Sequence, residues 1–155
     1  MINRHDLIKI KEKINNSILV NNIPNHNVEI VAVTKTFSSE AILAAFEEGI
    51  LNIGENKIQE AEYKFPQLPN LPKLKKRLIG HLQSNKVNKA INLFDTIDTI
   101  DSKKIAQRLD NSLKKTNKTK EVLLQVNASK DIAKHGFDLN DQEQMLDVIN
   151  YKQLV

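Results

Sequence analysis

The chain alternates between two hydrophobic periods. Between residues 3 and 22, Leu7, Ile10, Ile14 and Ile18 recur at three- and four-residue steps and predict one amphipathic helix ending near Asn21-Asn22. A turn-rich connection, Ile23-Pro-Asn-His-Asn27, then leads into an apolar, β-branched run at 28–35 that reads as the first strand. Val31, Val33 and Lys35 share one strand parity, and Ile30, Ala32 and Thr34 the other. Both faces are apolar up to the closing lysine, which is the pattern of a strand covered on both sides in a parallel sheet.

The same alternation continues to the end. Ser38 or Ser39 caps a helix that buries Ile42, Ala45 and Phe46 and stops at Gly49, the left-handed position after a helix. A short strand at 52–56 is followed by a helix at 57–64 that Pro66 closes, and Pro69 and Pro72 hold an extended loop. The third strand is expected at 77–82, with a helix from the cap at Ser84 through Ile91. The fourth strand covers 94–100, and Asp101 or Ser102 caps a helix carrying Ile105, Leu109 and Leu113. A fifth strand at 121–127 precedes a long loop, 128–136, and a last helix at 141–149. Leu154-Val155 reads as the start of a sixth strand. Helix, then strand and helix five times over, predicts an α/β fold with a parallel sheet and right-handed crossovers.

Composition narrows the class without changing that picture. The 155 residues, 40% hydrophobic and 27% charged, have the values of one globular domain, 1–155. No apolar run reaches the roughly 18 residues of a membrane span, and the first residues lack the apolar centre of a signal peptide. With no cysteine the chain holds no disulfide or thiolate chemistry, and a cytoplasmic address is the expectation. No pair among the four histidines has ligand spacing, so no metal is expected. The net charge of +4 is spread over scattered lysines, only 73–77 forming a tight basic cluster, and 5% aromatics give no stacking platform. A solvated lysine-rich surface therefore accounts for the charge better than a nucleic-acid site.

The candidate polar residues all fall at or just past a strand's C-terminal end: Lys35, Asn56, His81, Gln83 and Asn127. Parallel α/β folds bind ligands at that end, whether the sheet is open or closed. Lys35 reads either as an amine in apolar surroundings, held as free base to form an imine with an aldehyde, or as a strand-end lysine reaching solvent. Gly54-Glu-Asn56 places a glycine where backbone passes closely and then an inward amide; the plain alternative is a turn. In Gly80-His-Leu-Gln-Ser-Asn-Lys86, Gly80 gives space, His81 and Gln83 share a parity, and Ser84 opens a helix whose N–H groups suit an anion. Gln125 and Asn127 read as a buried amide network or as strand-end caps, and Lys134-His-Gly-Phe137 as a structural turn relaxed by Gly136.

Val31-Ala-Val-Thr-Lys-Thr36, Gly54-Glu-Asn56, Ile79-Gly-His-Leu-Gln-Ser-Asn-Lys86, Leu123-Leu-Gln-Val-Asn127 and the Lys134-His-Gly-Phe137 turn occur in this order. Together they closely resemble the YggS/PROSC family of pyridoxal 5′-phosphate (PLP) homeostasis proteins, from about residue 5 to the end. The resemblance implies a TIM-barrel-like (β/α)8 fold of the alanine racemase N-terminal type, of which about the first five units are present. It implies reversible PLP binding in vitamin B6 homeostasis with no established catalysis. It makes Lys35 the Schiff-base lysine, with Asn56 and His81 near the cofactor. The family's later motifs, which supply the phosphate cup and the arginine facing the pyridine nitrogen, do not occur in these 155 residues. The expectation is therefore a partial barrel with bare edges on its first and fifth strands and an apolar interior turned to water. Its oligomeric state stays open, with association through the edges as one route. A non-binding remnant or interaction module is the first alternative and a PLP-dependent racemase the second.

Overall fold

The computed structural model describes residues 3–22 and 28–155, so the turn expected at 23–27 lies outside the described residues. Helix α1 (Arg4–Val20) begins where the Asn3 side chain accepts the backbone N–H groups of His5 and Asp6, satisfying donors left free in the first turn. Five parallel strands follow: β1 (Val31–Val33), β2 (Asn52–Glu55), β3 (Lys75–Leu78), β4 (Thr96–Ile100) and β5 (Glu121–Leu124). Between them run α2 (Ser39–Glu47), α3 (Ile58–Lys64), α4 (Val87–Leu93) and α5 (Lys103–Thr116), and α6 (Gln142–Ile149) follows β5. Short 3-10 turns at Phe65–Gln67 and Ser84–Lys86 extend α3 and introduce α4.

The strands lie side by side in sequence order, β1-β2-β3-β4-β5. That is the order of a barrel wall; a doubly wound sheet reverses direction part-way across. The start of a sixth strand is also present. Leu154 bridges Lys120 in parallel, and the Val122 N–H donates to the Val155 carbonyl.

Register partners share a face of the sheet, which sorts its side chains into two layers. Ala32, Ile53, Leu78, Ile97 and Val122 face the helices and pack with Ile42, Ile58, Ala61, Phe65, Ala90, Phe94 and Leu109. This is the core. Phe65 and Phe94 meet edge to face at 5.5 Å between centroids. Lys120 ties β5 to the end of α4 by donating to the Ile91 and Phe94 carbonyls at 3.1 and 2.5 Å, and burial lowers its pKa.

The opposite layer departs from the sequence expectation. Val33 and Leu123 are 49% and 48% exposed there, so β1 is not covered equally on both sides. Nor is that face uniformly apolar. Arg77 forks onto Asp98 at 2.8 and 3.2 Å and reaches Asn52 at 3.3 Å, while Lys75 pairs with Glu121 at 3.6 Å. Alternation alone indicates that two faces differ; only the helix positions decide which one is dry.

Candidate functional site

The chain leaves β1 through a tight turn. The ladder continues one residue past the strand, the Thr34 N–H donating to the Gly54 carbonyl at 3.0 Å, and the turn then closes as the Phe37 N–H donates to the Thr34 carbonyl at 3.2 Å. Thr36 within it has φ +66°, rare for a β-branched residue. Lys35 stands exposed in this turn. Of the two readings of Lys35, the solvent-reaching one describes its environment: Thr34 takes the buried position and Lys35 is exposed.

The buried lysine is Lys64, on α3. Its ammonium donates to the Thr34 carbonyl at 2.9 Å, to both Glu55 oxygens at 3.0 and 3.1 Å, and to Glu60 Oε2 at 3.4 Å. Glu55, fully buried, also accepts the Thr34 hydroxyl at 2.7 Å, and Glu60 Oε2 accepts the Thr36 N–H at 2.9 Å. The sequence reading overlooked all three charges. The available signal was the three-residue step Ile58, Ala61, Lys64, which places an ammonium on the inward stripe of a helix.

Asn56 follows β2 and His81 follows β3, so Lys35, Asn56 and His81 sit at the C-terminal ends of three adjacent strands, all exposed. Gly80 is what lets the second and third of these close together. A Cβ there would lie 2.0 Å from the Asn56 carbonyl oxygen and 2.5 Å from its Oδ1. The close approach to backbone therefore belongs to Gly80; at Gly54 an added Cβ meets only side-chain atoms, Ile79 Cδ1, Cγ2 and Cγ1 at 2.9, 3.2 and 3.4 Å.

His81 Nδ1 lies 2.6 Å from Asp101 Oδ2, at the end of β4. His135 stacks on His81 with 4.0 Å between ring centroids and 13° between planes, its Nδ1 at 3.9 Å from the same carboxylate oxygen. The sequence marks Asp101 only as a helix cap and His135 only as part of a structural turn, since no short spacing joins either to His81. The three side chains have the composition of a metal site. However, an ion shared by two imidazoles lies in both ring planes, which near-parallel stacked rings do not allow. The arrangement is a carboxylate-oriented imidazole with a second ring packed over it. The loop carrying His135 is pinned by two amides just past the fifth strand. Gln125 donates to the His135 carbonyl at 2.8 Å, Asn127 donates to the Asp131 carbonyl at 2.9 Å, and the Phe137 N–H returns to Gln125 at 2.8 Å. Gly136, at φ +134° with Asn127 N only 2.7 Å from an added Cβ, lets the loop rejoin the sheet. Gln83 is exposed ahead of the Ser84–Lys86 turn, and Ser84 makes no side-chain cap there.

One pH dependence follows from this geometry. The Thr36 N–H, with smaller help from Lys64 and Lys57 and against partial burial, holds the Glu60 carboxyl below its ordinary value. A depressed carboxyl stabilises the fold above its unfolded value of about 4.3, and that contribution is lost as pH falls through the lower folded value. The Thr36 amide resonance is therefore expected to titrate with a midpoint below about 4.3, whereas a midpoint at or above it removes the link.

Residues 6–154 match the family described as alanine racemase, N-terminal domain. The pyridoxal phosphate homeostasis protein of Buchnera aphidicola is 33% identical over 141 residues, covering 91% of this chain and 62% of its own. That of Haemophilus influenzae is 37% identical over 145 residues, covering 92% and 60%. The chain thus spans about three-fifths of the length of these relatives. PipY of Synechococcus elongatus, solved with PLP bound, superposes with a TM-score of 0.76 at 34% identity, over 89% of this chain and 64% of PipY. Alanine racemase of Clostridium difficile superposes at 0.70 with 14% identity, over 94% of this chain and 37% of the racemase, a likeness of fold alone.

Proposed function

Because the chain belongs to the alanine racemase N-terminal domain family, we propose that it binds PLP at the mouth formed by β1, β2 and β3 and serves PLP homeostasis without catalysing a reaction. The observation that carries this is an exposed primary amine, Lys35, at the end of β1, with an amide, Asn56, and an imidazole, His81, at the ends of the next two strands. The donor set suits the group. PLP supplies, when bound, an aldehyde on a pyridine ring that also carries a hydroxyl and a phosphate. Lys35 would hold the group covalently through its amine, the aldehyde oxygen being given up as water. Asn56 and His81 offer hydrogen bonds to the ring substituents, and Asp101 orients the His81 ring by its contact at Nδ1. Support also comes from PipY, solved with PLP bound, and from the relatives named as pyridoxal phosphate homeostasis proteins.

Adding PLP to the protein is expected to produce an absorbance band at about 420 nm, as a ring-conjugated protonated C=N gives. Lys35→Ala is expected to abolish it, and borohydride trapping with peptide mapping to place the label on Lys35. No band at millimolar PLP, or a label scattered over surface lysines, overturns the proposal. A PLP-dependent amino-acid racemase is the second reading. It is favoured by the fold shared with alanine racemase and by the His81–Asp101 pair at the mouth. It requires alanine racemisation that disappears in Lys35→Ala. Among the described residues no helix is long and apolar enough to cross a membrane.

A further inference from the structure

We propose that Glu55, Lys64 and Glu60 are positioning residues for Lys35, a charged brace on the helix side of the sheet that aims its amine at the mouth. The role assigned to the amine rests on the PLP reading; the brace itself rests on geometry alone.

The residues on either side of Lys35 are both held. Thr34 is fixed through two groups: its hydroxyl donates to Glu55 and its carbonyl accepts from Lys64, at 2.7 and 2.9 Å. Thr36 is fixed by its N–H on Glu60, at 2.9 Å. Holding Thr34 toward the helices fixes the residue from which the turn carrying Lys35 leaves the sheet. Holding Thr36 maintains its left-handed φ of +66°, a conformation that persists in β-branched residues only where surroundings enforce it. The two anchors are joined, because Lys64 contacts Glu55 and Glu60 together.

Stability alone does not call for this arrangement. A buried ion pair gains little over well-packed apolar side chains of similar volume. What the charges add is directional: two carboxylates and an ammonium hydrogen-bond to the peptide groups and hydroxyl flanking one residue, and apolar groups cannot do that. An unbraced turn would leave the Lys35 backbone to sample the ordinary range of a surface loop, and an amine must hold its approach geometry to condense efficiently.

The test compares wild type with Glu60→Ala, Glu60→Gln and the neutral double variant Glu55→Gln/Lys64→Met, which avoids stranding a buried charge if a single change fails to fold. Two quantities are read: amide hydrogen exchange at Thr36, and PLP attachment at Lys35 by trapping and peptide mapping. Glu60→Ala is expected to speed Thr36 exchange and weaken attachment, each about tenfold, the effect of losing one charge-assisted hydrogen bond. Amides of Ile97 and Leu109 should stay at wild-type rates. Glu60→Gln keeps an oxygen acceptor and is expected to restore both quantities most of the way, and the double variant to weaken attachment at least as much as Glu60→Ala. Unchanged Thr36 exchange in Glu60→Ala overturns the brace. So does wild-type attachment at Lys35 in both Glu60→Ala and the double variant. If wild type attaches no PLP at Lys35 while Glu60→Ala still releases the Thr36 amide, the PLP reading fails and the exchange result upholds the brace.

Discussion

Lys64→Ala is expected to destabilise the fold by about 3–5 kcal/mol, because it leaves the Glu55 carboxyl buried without its counter-charge. Glu55 is fully buried and takes two of its hydrogen bonds from the Lys64 ammonium, at 3.0 and 3.1 Å. With the lysine gone, the Thr34 hydroxyl remains as its contact, and a single neutral donor does not offset the loss of water around a carboxylate. Set against a typical domain stability of about 5–15 kcal/mol, this is a large fraction. Urea denaturation reads it as a lower midpoint with an unchanged slope. Removing both charges, in Glu55→Gln/Lys64→Met, is expected to cost much less, since no unpaired charge is left behind. Equal losses in the single and double variants would mean that Lys64 contributes by packing its chain and not by its charge.

Gly80→Ala is the second large effect. An added methyl at 2.0 Å from the Asn56 carbonyl oxygen meets main chain, which cannot swing aside as a side-chain tip does. The ends of β2 and β3 must part, at the cost of about 1–3 kcal/mol or more seen when groups are forced into filled space. The displaced residue is Asn56 and the shifted neighbour is His81, so PLP attachment should weaken together with stability. Gly54→Ala is the control: its methyl meets the Ile79 side chain and no backbone, and a loss below that of Gly80→Ala is expected. If the two variants unfold at the same denaturant concentration, the close approach at Gly80 does not constrain the fold.

Both predictions concern residues that the linear pattern treated unevenly. The close backbone approach was expected at Gly54, and Gly80 stood out in the sequence only as a residue that gives space ahead of His81. Lys64 did not, because a lysine in the last turn of a short helix is ordinary, and its burial depends on Glu55, nine positions earlier on a strand. The lysine that the pattern did pick out, Lys35, reads from sequence either as an enclosed amine or as a strand-end lysine reaching solvent, and it is exposed. Parity sets it apart from Thr34, but parity carries no information about what covers either face. His81 was found for the same reason as Lys35, by its place at a strand end. Its partners Asp101 and His135, on β4's end and the loop after β5, are joined to it only by the curvature of the sheet.

By itself the sequence determined the order of elements, the parallel sheet and the end at which polar side chains gather, because these follow from hydrophobic period and chain direction, which are local properties. Tertiary structure alone decided which face of the sheet is dry, which lysine is buried and which carboxylate each base meets. Those outcomes depend on contacts such as Lys64 with Thr34 and His81 with Asp101, 30 and 20 positions apart, and no local pattern encodes the distance between such groups once the chain has folded.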